Sequence, residues 1–302
     1  MTSARHPRFA PASMVLAVSA IAGLVTGCAG PSDSDVQAVT DWIADQPHVT
    51  AVQSAVDDDP WSRSVSLSIE VEAGVSDDDL RMLAPAAARR AANLPDPYLV
   101  WQVGEGRSFS NLGGSATLEV FLGLRHDSRY EVVSARGGSD CSGFFCVVLD
   151  DDDPAVLLDQ VDRMLALAQR AGGVQPNLPF EAESADGRFV VGAQPEAPVD
   201  EAVALLTTIT ARVPVEHARV TPIEAVGDIP SAQLLDLWVS DEQGRLVAQQ
   251  IADRQSLVEV SVWDADGEAE PDAGTGGGGL LGGGGGLGGS AAPTLTTGTP
   301  AP

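Results

Sequence analysis

Residues 34–52, SDVQAVTDWIADQPHVTAV, contain the change of pattern that decides the fold, from a helix through a proline to a valine-rich strand. Ser34 and Gln37 have the spacing of a capping box, in which side chains satisfy free backbone N–H groups at a helix start. Apolar residues then recur at the helical period on one face: Val36, Val39 and Ile43. Pro47 ends the pattern, so the stretch predicts one amphipathic helix followed by a strand.

The same order recurs at residues 202–220, AVALLTTITARVPVEHARV, where a helical pattern again runs through a proline into a valine-rich segment. The order helix, strand, strand, helix over residues 34–89 is therefore echoed over residues 199–253. The echo resembles what duplicated ferredoxin-like or BON-like modules would produce, and no family is assigned from it.

Strands and helices also alternate between these two stretches. Period-two alternation predicts a half-buried strand at Val65–Val71, and Ser76–Asp79 opens a helix that Pro85 should kink or restart. Strands are predicted at Tyr98–Val103 and Thr117–Leu124.

The second half continues in the same way. Asp153-Pro154 predicts the start of a helix that Gly172-Gly173 stops, and further helices are predicted near 199–209 and 242–253. The remaining strands are predicted at Tyr130–Ala135, Phe144–Leu149, near Phe180, Phe189–Val191, 215–226, 234–240 and 257–263.

These elements favour the α+β class, with mostly antiparallel sheets and helices on one face, arranged as two duplicated modules. Strict strand–helix–strand alternation and a glycine-rich nucleotide turn are both missing from the pattern. The predicted divisions are a signal peptide at 1–27, a short linker at 28–33, modules at 34–127 and 128–264, and a Gly/Thr/Pro-rich disordered tail at 265–302.

The N-terminus has the three parts of a secretory signal. Arg5 and Arg8 give a positive start, an apolar core of 12 residues spans 14–25, and small residues lead to Cys28. A membrane-spanning helix needs ~20 apolar residues, whereas a signal peptide needs only ~7–15. The segment therefore predicts export, and a buried N-terminal helix is the alternative.

Val25-Thr26-Gly27-Cys28 resembles the lipobox of bacterial lipoproteins, a branched residue and two small ones before an obligatory cysteine. The resemblance implies that the Cys28 sulfur receives a diacylglycerol and that cleavage makes Cys28 the first residue. Acyl chains such as palmitate then anchor the protein on the extracytoplasmic face of the cell membrane, since each buried CH₂ adds ~0.8 kcal/mol. The absence of lysine, with the Ala, Gly, Val and Asp bias, resembles the products of GC-rich actinobacterial genomes.

The formal charge is −26, and all 17 basic residues are arginine. Nucleic acid is excluded as a partner because its binding requires Lys and Arg to neutralise phosphates. The charge also repels anionic lipid headgroups, which leaves the lipid anchor as the predicted contact with the membrane. A solvated surface accounts for the acidity, and a basic partner is the alternative.

The common catalytic motifs are missing from the sequence. Without lysine there is no Walker lysine, Schiff base or Ser–Lys dyad, and no Gly-x-Ser-x-Gly elbow occurs. His48, His126 and His217 stand singly, without zinc-ligand spacing, so they are predicted to be surface or loop residues. A triad assembled from distant residues remains open.

Three acidic runs offer oxygen ligands to calcium: Asp57–Asp59, Asp77–Asp79 and Asp150–Asp153. The last two precede predicted helices, where carboxylates cap N–H groups and favour the helix dipole. Capping is therefore the prediction for these two runs, and no metal or cofactor site is predicted.

Cys141 and Cys146 are the only cysteines left when Cys28 is acylated. Thiols outside the membrane tend to oxidise, so the pair predicts a structural disulfide across a tight reversal, rather than a redox-active pair.

Together these patterns predict a lipid-anchored, non-enzymatic lipoprotein that binds an envelope protein or another envelope component. The alternatives are an extracytoplasmic hydrolase with unlocated catalytic residues and a calcium-dependent surface module.

Overall fold

The computed structural model describes residues 33–59, 62–137, 141, 144–173, 178–223 and 232–264. The described part contains six helices: α1 (Asp33–Ala44), α2 (Asp77–Ala91), α3 (Ser115–Leu124), α4 (Pro154–Arg170), α5 (Asp200–Thr210) and α6 (Glu242–Ala252). The first strands are β1 (Val49–Asp59), β2 (Ser62–Val71), β3 (Pro97–Val103), β4 (Arg107–Ser110) and β5 (Tyr130–Ala135). They are followed by β6 (Phe145–Leu149), β7 (Phe180–Ser184), β8 (Phe189–Ala193), β9 (Val215–Ile223), β10 (Ala232–Val239) and β11 (Val258–Asp264).

All 11 strands form one sheet in chain order, and each helix precedes a hairpin or, for α6, the single strand β11. The two strands of each hairpin are antiparallel, from β1–β2 to β9–β10. The strands joined through a helix, from β2–β3 to β10–β11, are adjacent and parallel. The α+β class and the antiparallel hairpins are thus confirmed, and parallel pairs alternate with them across the sheet.

The helices lie together on one face of the sheet, since each helix contacts the next from α1 to α6. The chain advances in one direction across the sheet, and every hairpin reverses the strand direction. Because all the helices lie on one face, successive strand–helix–strand crossovers therefore alternate between right-handed and left-handed. About 98% of crossover connections between parallel strands of one sheet are right-handed, which makes the left-handed ones here unusual. The spatial repeat is therefore two helix–strand–strand units, and α1 and α5 occupy equivalent positions in it.

The core lies between the helices and the sheet. It includes the apolar face predicted for the first helix (Val36, Val39 and Ile43) and the alternating positions of β2 (Val65, Leu67, Ile69 and Val71). In the described part of the chain, the six largest fully buried side chains are all aromatic: Trp101, Phe109, Phe121, Phe145, Phe180 and Phe189.

Three of the helices begin at N-cap residues whose side chains accept hydrogen bonds from backbone N–H groups. The hydroxyl of Ser76 accepts a hydrogen bond from the N–H of Asp79 at 3.1 Å, and the carboxylate of Asp153 accepts one from Ala155 at 2.9 Å. Asp241 caps α6 in the same way. The Asp77–Asp79 and Asp150–Asp153 runs therefore lead into helices, as expected.

One predicted strand is wrong. Thr117–Leu124 is not a strand but most of helix α3, which begins at Ser115. Seven of its ten residues are buried, so its run of Val, Leu and Phe has no clear amphipathic period that separates a helix from a strand. The decisive signal is Gly113-Gly114, where both residues have positive φ and turn the chain from β4 into the helix.

Other differences are smaller. The four-residue strand β4 is missing from the sequence prediction, and α2 continues through Pro85 as one helix from Asp77 to Ala91. The predicted boundary between the two modules, at residues 127 and 128, falls between α3 and β5, where the sheet is continuous through the β4–β5 pair. The predicted disulfide is present: Cys141 and Cys146 are bonded, with Cα atoms 6.3 Å apart.

The signal peptide, the lipobox with Cys28 and the tail at 265–302 lie outside the described residues. Within the part that the structure describes, no helix is long and apolar enough to cross a membrane.

Candidate functional site

An apolar cavity of about 230 Å³ opens between α2 and α3, over strands β3 and β4. We call it the α2–α3 cavity. Its apolar wall is formed mainly by Ala84, Pro85, Ala88, Trp101, Phe109 and Leu118. Pockets for drug-sized ligands usually measure ~300–1,000 Å³, so this cavity fits a small ligand or the end of a longer one.

Arg89 brings a positive charge to the rim of this cavity. It lies in the last turn of α2 and is exposed, and no ion pair or hydrogen bond joins its guanidinium to another residue of the described chain. Many other arginines are paired with carboxylates, as in Arg81 with Glu119 and Arg125 with Asp77. An unpaired arginine beside a cavity, in a chain of charge −26, is available to a ligand.

The N-terminus of α3 lies on the same rim, through Gly114 and Ser115. Gly114 is the N-cap and provides no side chain to accept a hydrogen bond from the first N–H groups. These groups carry the positive end of the helix dipole and bind anions in many proteins. The N-terminus of α3 therefore favours a negatively charged ligand, as Arg89 does.

The loop before α3 is held in place by its own side chains. Asn111 accepts a hydrogen bond from the N–H of Leu99 at 2.9 Å and donates one to the carbonyl of Pro97 at 3.1 Å. A Cβ at Gly113 would lie 2.6 Å from the hydroxyl of Thr117 and 3.1 Å from Nη1 of Arg136, so only glycine fits there. The loop is thereby fixed against β3 and the start of α3.

Trp101 contributes a buried polar group to the wall. The side chain is fully buried and stacks on Phe109, with ring centroids 5.7 Å apart. Its indole N–H has no hydrogen-bond partner among the described residues. An unsatisfied buried donor costs ~1–3 kcal/mol. The nitrogen is itself enclosed, so it is not a donor on the open surface of the cavity.

This combination of groups can bind an anion with an apolar body. Arg89 and the α3 N-terminus are donors, and the wall is mostly apolar apart from Ser110, Asn111 and Ser115. All lining residues are described, and none of them is a histidine, carboxylate or cysteine, so the cavity lacks a general base and an acidic metal ligand.

The three histidines are found elsewhere and in separate places. The two ring nitrogens of His48 face carboxylates, Glu72 at 3.0 Å and Asp79 at 3.7 Å, and its hydrogen bond to Glu72 raises the pKa of His48. The hydroxyl of Ser76 donates to Asp79 rather than to His48. A Ser–His–Asp triad needs the serine on one imidazole nitrogen, and here a carboxylate occupies that position.

The other two histidines are also held by neighbours. His126 lies 2.9 Å from the Asp77 carboxylate. His217 lies on β9 rather than in a loop; its Nδ1 is 2.9 Å from the carbonyl of Gly187, and its ring contacts Trp238. The described residues thus do not bring a histidine, a serine and a carboxylate into catalytic order.

The acidic groove formed by Asp150–Asp152 and Asp186 has its own donors. Asp152 pairs with Arg188 at 3.2 Å, and Asp186 accepts hydrogen bonds from Ser184 and from the N–H of Arg188. Within the described ranges, no group of three or more histidines, cysteines or carboxylates is arranged to hold a metal ion.

The sequence interpretation did not identify the α2–α3 cavity. The available signal was Asn111-Leu-Gly-Gly-Ser115, a glycine pair directly before an apolar run. Because the run was assigned to a strand, the start of a helix and its anion-binding N–H groups were not expected there.

Comparison of the sequence with protein-family models and with curated proteins finds no match.

Proposed function

We propose that this chain is a lipid-anchored, non-enzymatic binding protein of the cell envelope, and that its α2–α3 cavity binds a small amphipathic carboxylate. The observation that carries the proposal is the unpaired Arg89 at the mouth of an apolar cavity, beside the uncapped N-terminus of α3.

The charge of the whole chain makes this local arrangement more specific. At −26 the protein repels anions at long range, so a site that combines an arginine and a helix N-terminus with no carboxylate stands apart from the rest of its surface. A single negative charge is preferred to a polyanion, because one arginine and one helix terminus neutralise about one charge. The apolar wall then selects a ligand with a hydrocarbon or aromatic body.

Octanoate is a suitable probe, with octanamide as a neutral ligand of the same length. Both would be titrated into residues 28–302 carrying Cys28→Ser, which has no acyl chain and needs no detergent. We expect octanoate to bind about tenfold more tightly than octanamide, because a charge-assisted hydrogen bond is lost in the amide. The indole N–H resonance of Trp101, assigned with Trp101→Phe, should shift on binding.

Arg89→Gln and Arg90→Gln form a matched pair for this test. Both arginines lie in the last turn of α2, but Arg90 faces the groove between α1 and α2 with Asp35 and Asn93. Arg89→Gln should weaken octanoate binding about tenfold, whereas Arg90→Gln should leave it unchanged. Equal effects of the two changes, or no octanoate binding to the starting protein, would show that the cavity is not the site.

The lipid anchor is proposed from the lipobox-like Val25–Cys28. Metabolic labelling with an alkyne analogue of palmitate should label the protein, and Cys28→Ser should abolish the label and leave the protein unprocessed or released from membranes. An unlabelled protein of mature size would contradict the anchor without bearing on the cavity.

We also propose that the chain arose by duplication of a helix–strand–strand unit, in the manner of BON-like modules. The support is the repeated order of one helix and two strands from α1 to β10. The described residues add no observation in favour of a hydrolase or a calcium-dependent module.

A further inference from the structure

Strand β11 is the last strand of the sheet, and only one of its edges is paired. Val258–Asp264 pairs in parallel with β10 along its whole length. On its outer side no strand follows among the described residues, so a row of backbone N–H and C=O groups is left for another partner.

The topology specifies which direction that partner would run. Antiparallel and parallel pairs alternate from β1 to β11, and the last pair, β10–β11, is parallel. The next pair in the series would be antiparallel. In the described chain, α6 is also the only helix followed by one strand rather than by a hairpin.

The sequence of β11, VEVSVWD, carries two charges, Glu259 and Asp264, but few of the other features that normally protect an edge strand. It has no proline, lysine or glycine, and its pairing with β10 contains no bulge. Val258, Val260 and Val262 pack against the core, while Glu259, Ser261 and Trp263 lie on the helix-free face. The opposite edge of the sheet differs, since the pairing of β1 with β2 has an irregular register at Val49/Ala51.

The chain that follows β11 is poorly suited to supply the missing strand. Residues 265–273 read ADGEAEPDA, with three acidic residues at 266–270, a fourth at 272, and Pro271 between them. Residues 274–289 are mostly glycine. Proline and glycine weaken strands, and neither segment has the alternation of apolar residues that pairing with β11 would require.

We propose that β11 pairs antiparallel with β11 of a second copy, around a two-fold axis through Ser261. In this register Ser261 faces its own equivalent, Val260 faces Val262 of the other copy, and Glu259 faces Trp263. The axis is perpendicular to the sheet, so the helices of both copies stay on one face and the alternation of pairs continues through the interface. One strand pair is a small interface, so the dimer is weak, and salt strengthens it by screening the repulsion between two chains of charge −26.

Cysteine crosslinking in intact membranes tests the register directly. Directly opposed residues in antiparallel strands have Cα atoms ~4.5–5.5 Å apart, within the range of a disulfide. Ser261→Cys should therefore give a covalent dimer on a non-reducing gel after mild oxidation. Ala55→Cys, on the opposite edge strand β1, should remain a monomer, as should the protein without an added cysteine.

A charge pair on the same background tests the contact between Glu259 and position 263. Trp263→Glu and Trp263→Arg remove the same aromatic ring, but the first places a carboxylate opposite Glu259 and the second places a guanidinium there. Two symmetric pairs change at once, so the arginine variant should associate about tenfold more strongly than the glutamate variant. Absence of the Ser261→Cys dimer, equal dimer yield from Ala55→Cys, or equal association of the two Trp263 variants would each overturn the proposal.

Discussion

The middle and the ends of this sheet are built differently. In β6 and β8 all five residues are buried, whereas β11 has no buried residue and residues 53–58 of β1 are exposed. All these strands belong to one sheet and lie under the same layer of helices. The difference indicates that the middle strands provide the stability of the fold, while the ends are left with surface for contacts.

The middle strands are buried on both faces for different reasons. On the helix side, Phe145 stacks on Phe180 with ring centroids 4.5 Å apart. On the helix-free side, the buried carboxylate of Glu181 pairs with Arg219 at 2.6 Å. Neighbouring strands place Cys146, in its disulfide, next to Glu181. Cross-strand contacts thus replace a second layer of helices.

The largest expected effect comes from removing an aromatic ring from the middle. Phe180→Ala deletes a fully buried ring and its stack on Phe145, and should lower the free energy of unfolding by ~3–5 kcal/mol. Leu257→Ala, next to β11, is the control because Leu257 is 66% exposed, and it should change the free energy by less than ~0.5 kcal/mol. Urea denaturation measures both, and equal losses would show that the middle does not dominate stability.

The disulfide should have an intermediate effect. Cys141→Ser/Cys146→Ser opens a loop with a sequence separation of 5, and in the chain-entropy model should cost ~2 kcal/mol. The melting temperature should fall without loss of folding, and reduction of the unmodified protein should give the same shift. Mass spectrometry of unreduced, alkylated protein should find both sulfurs protected, and two alkylated thiols would contradict the assignment.

Local patterns allowed most elements to be predicted because they specify either a helix face or a strand face. The Val36, Val39 and Ile43 face and the alternation of Val65 to Val71 both reach the core as expected. Thr117–Leu124 was misassigned because a helix buried on nearly all sides has no polar face to reveal its period. Four-residue β4 was missed because it is too short for a period to be counted.

The order of strands could not be read from the sequence in the same way. Parallel pairing between β2 and β3, for example, depends on where α2 packs, and no residue of either strand encodes it. The α2–α3 cavity is likewise a product of packing, because Arg89 and Gly114 are 25 positions apart and meet only when α2 and α3 lie side by side. The site could not be predicted because its residues are far apart in the sequence and each of them is of a common type.

The smallest expected effect on stability is electrostatic. It is seen by comparing the carboxylate of Asp127, near the middle of the sheet, with that of Asp58, at one end. Asp127, in the connection between α3 and β5, accepts hydrogen bonds from Arg129 and from Arg163, the latter at 2.6 Å, and these bonds hold the pKa of Asp127 well below its ordinary range. Arg163 also donates to the hydroxyl of Tyr130 at 2.9 Å. At the end of the sheet, Asp58 pairs with Arg63, but the side chain of Asp58 is 71% exposed, against 18% for Asp127.

A depressed pKa in the folded state means that the carboxylate stabilises the fold above its unfolded pKa of ~3.9, and that this stability is lost as the pH falls further toward the folded value. Asp127→Asn should therefore lower the free energy of unfolding by ~1 kcal/mol at pH 7, and less at pH 3, where the unfolded chain is largely protonated. Asp58→Asn should cost less at pH 7, since exposed ion pairs contribute little. Urea midpoints measured from pH 7 to pH 3 would test this, and a difference between the starting protein and Asp127→Asn that stays constant with pH would show that the Asp127 charge does not stabilise the middle of the sheet.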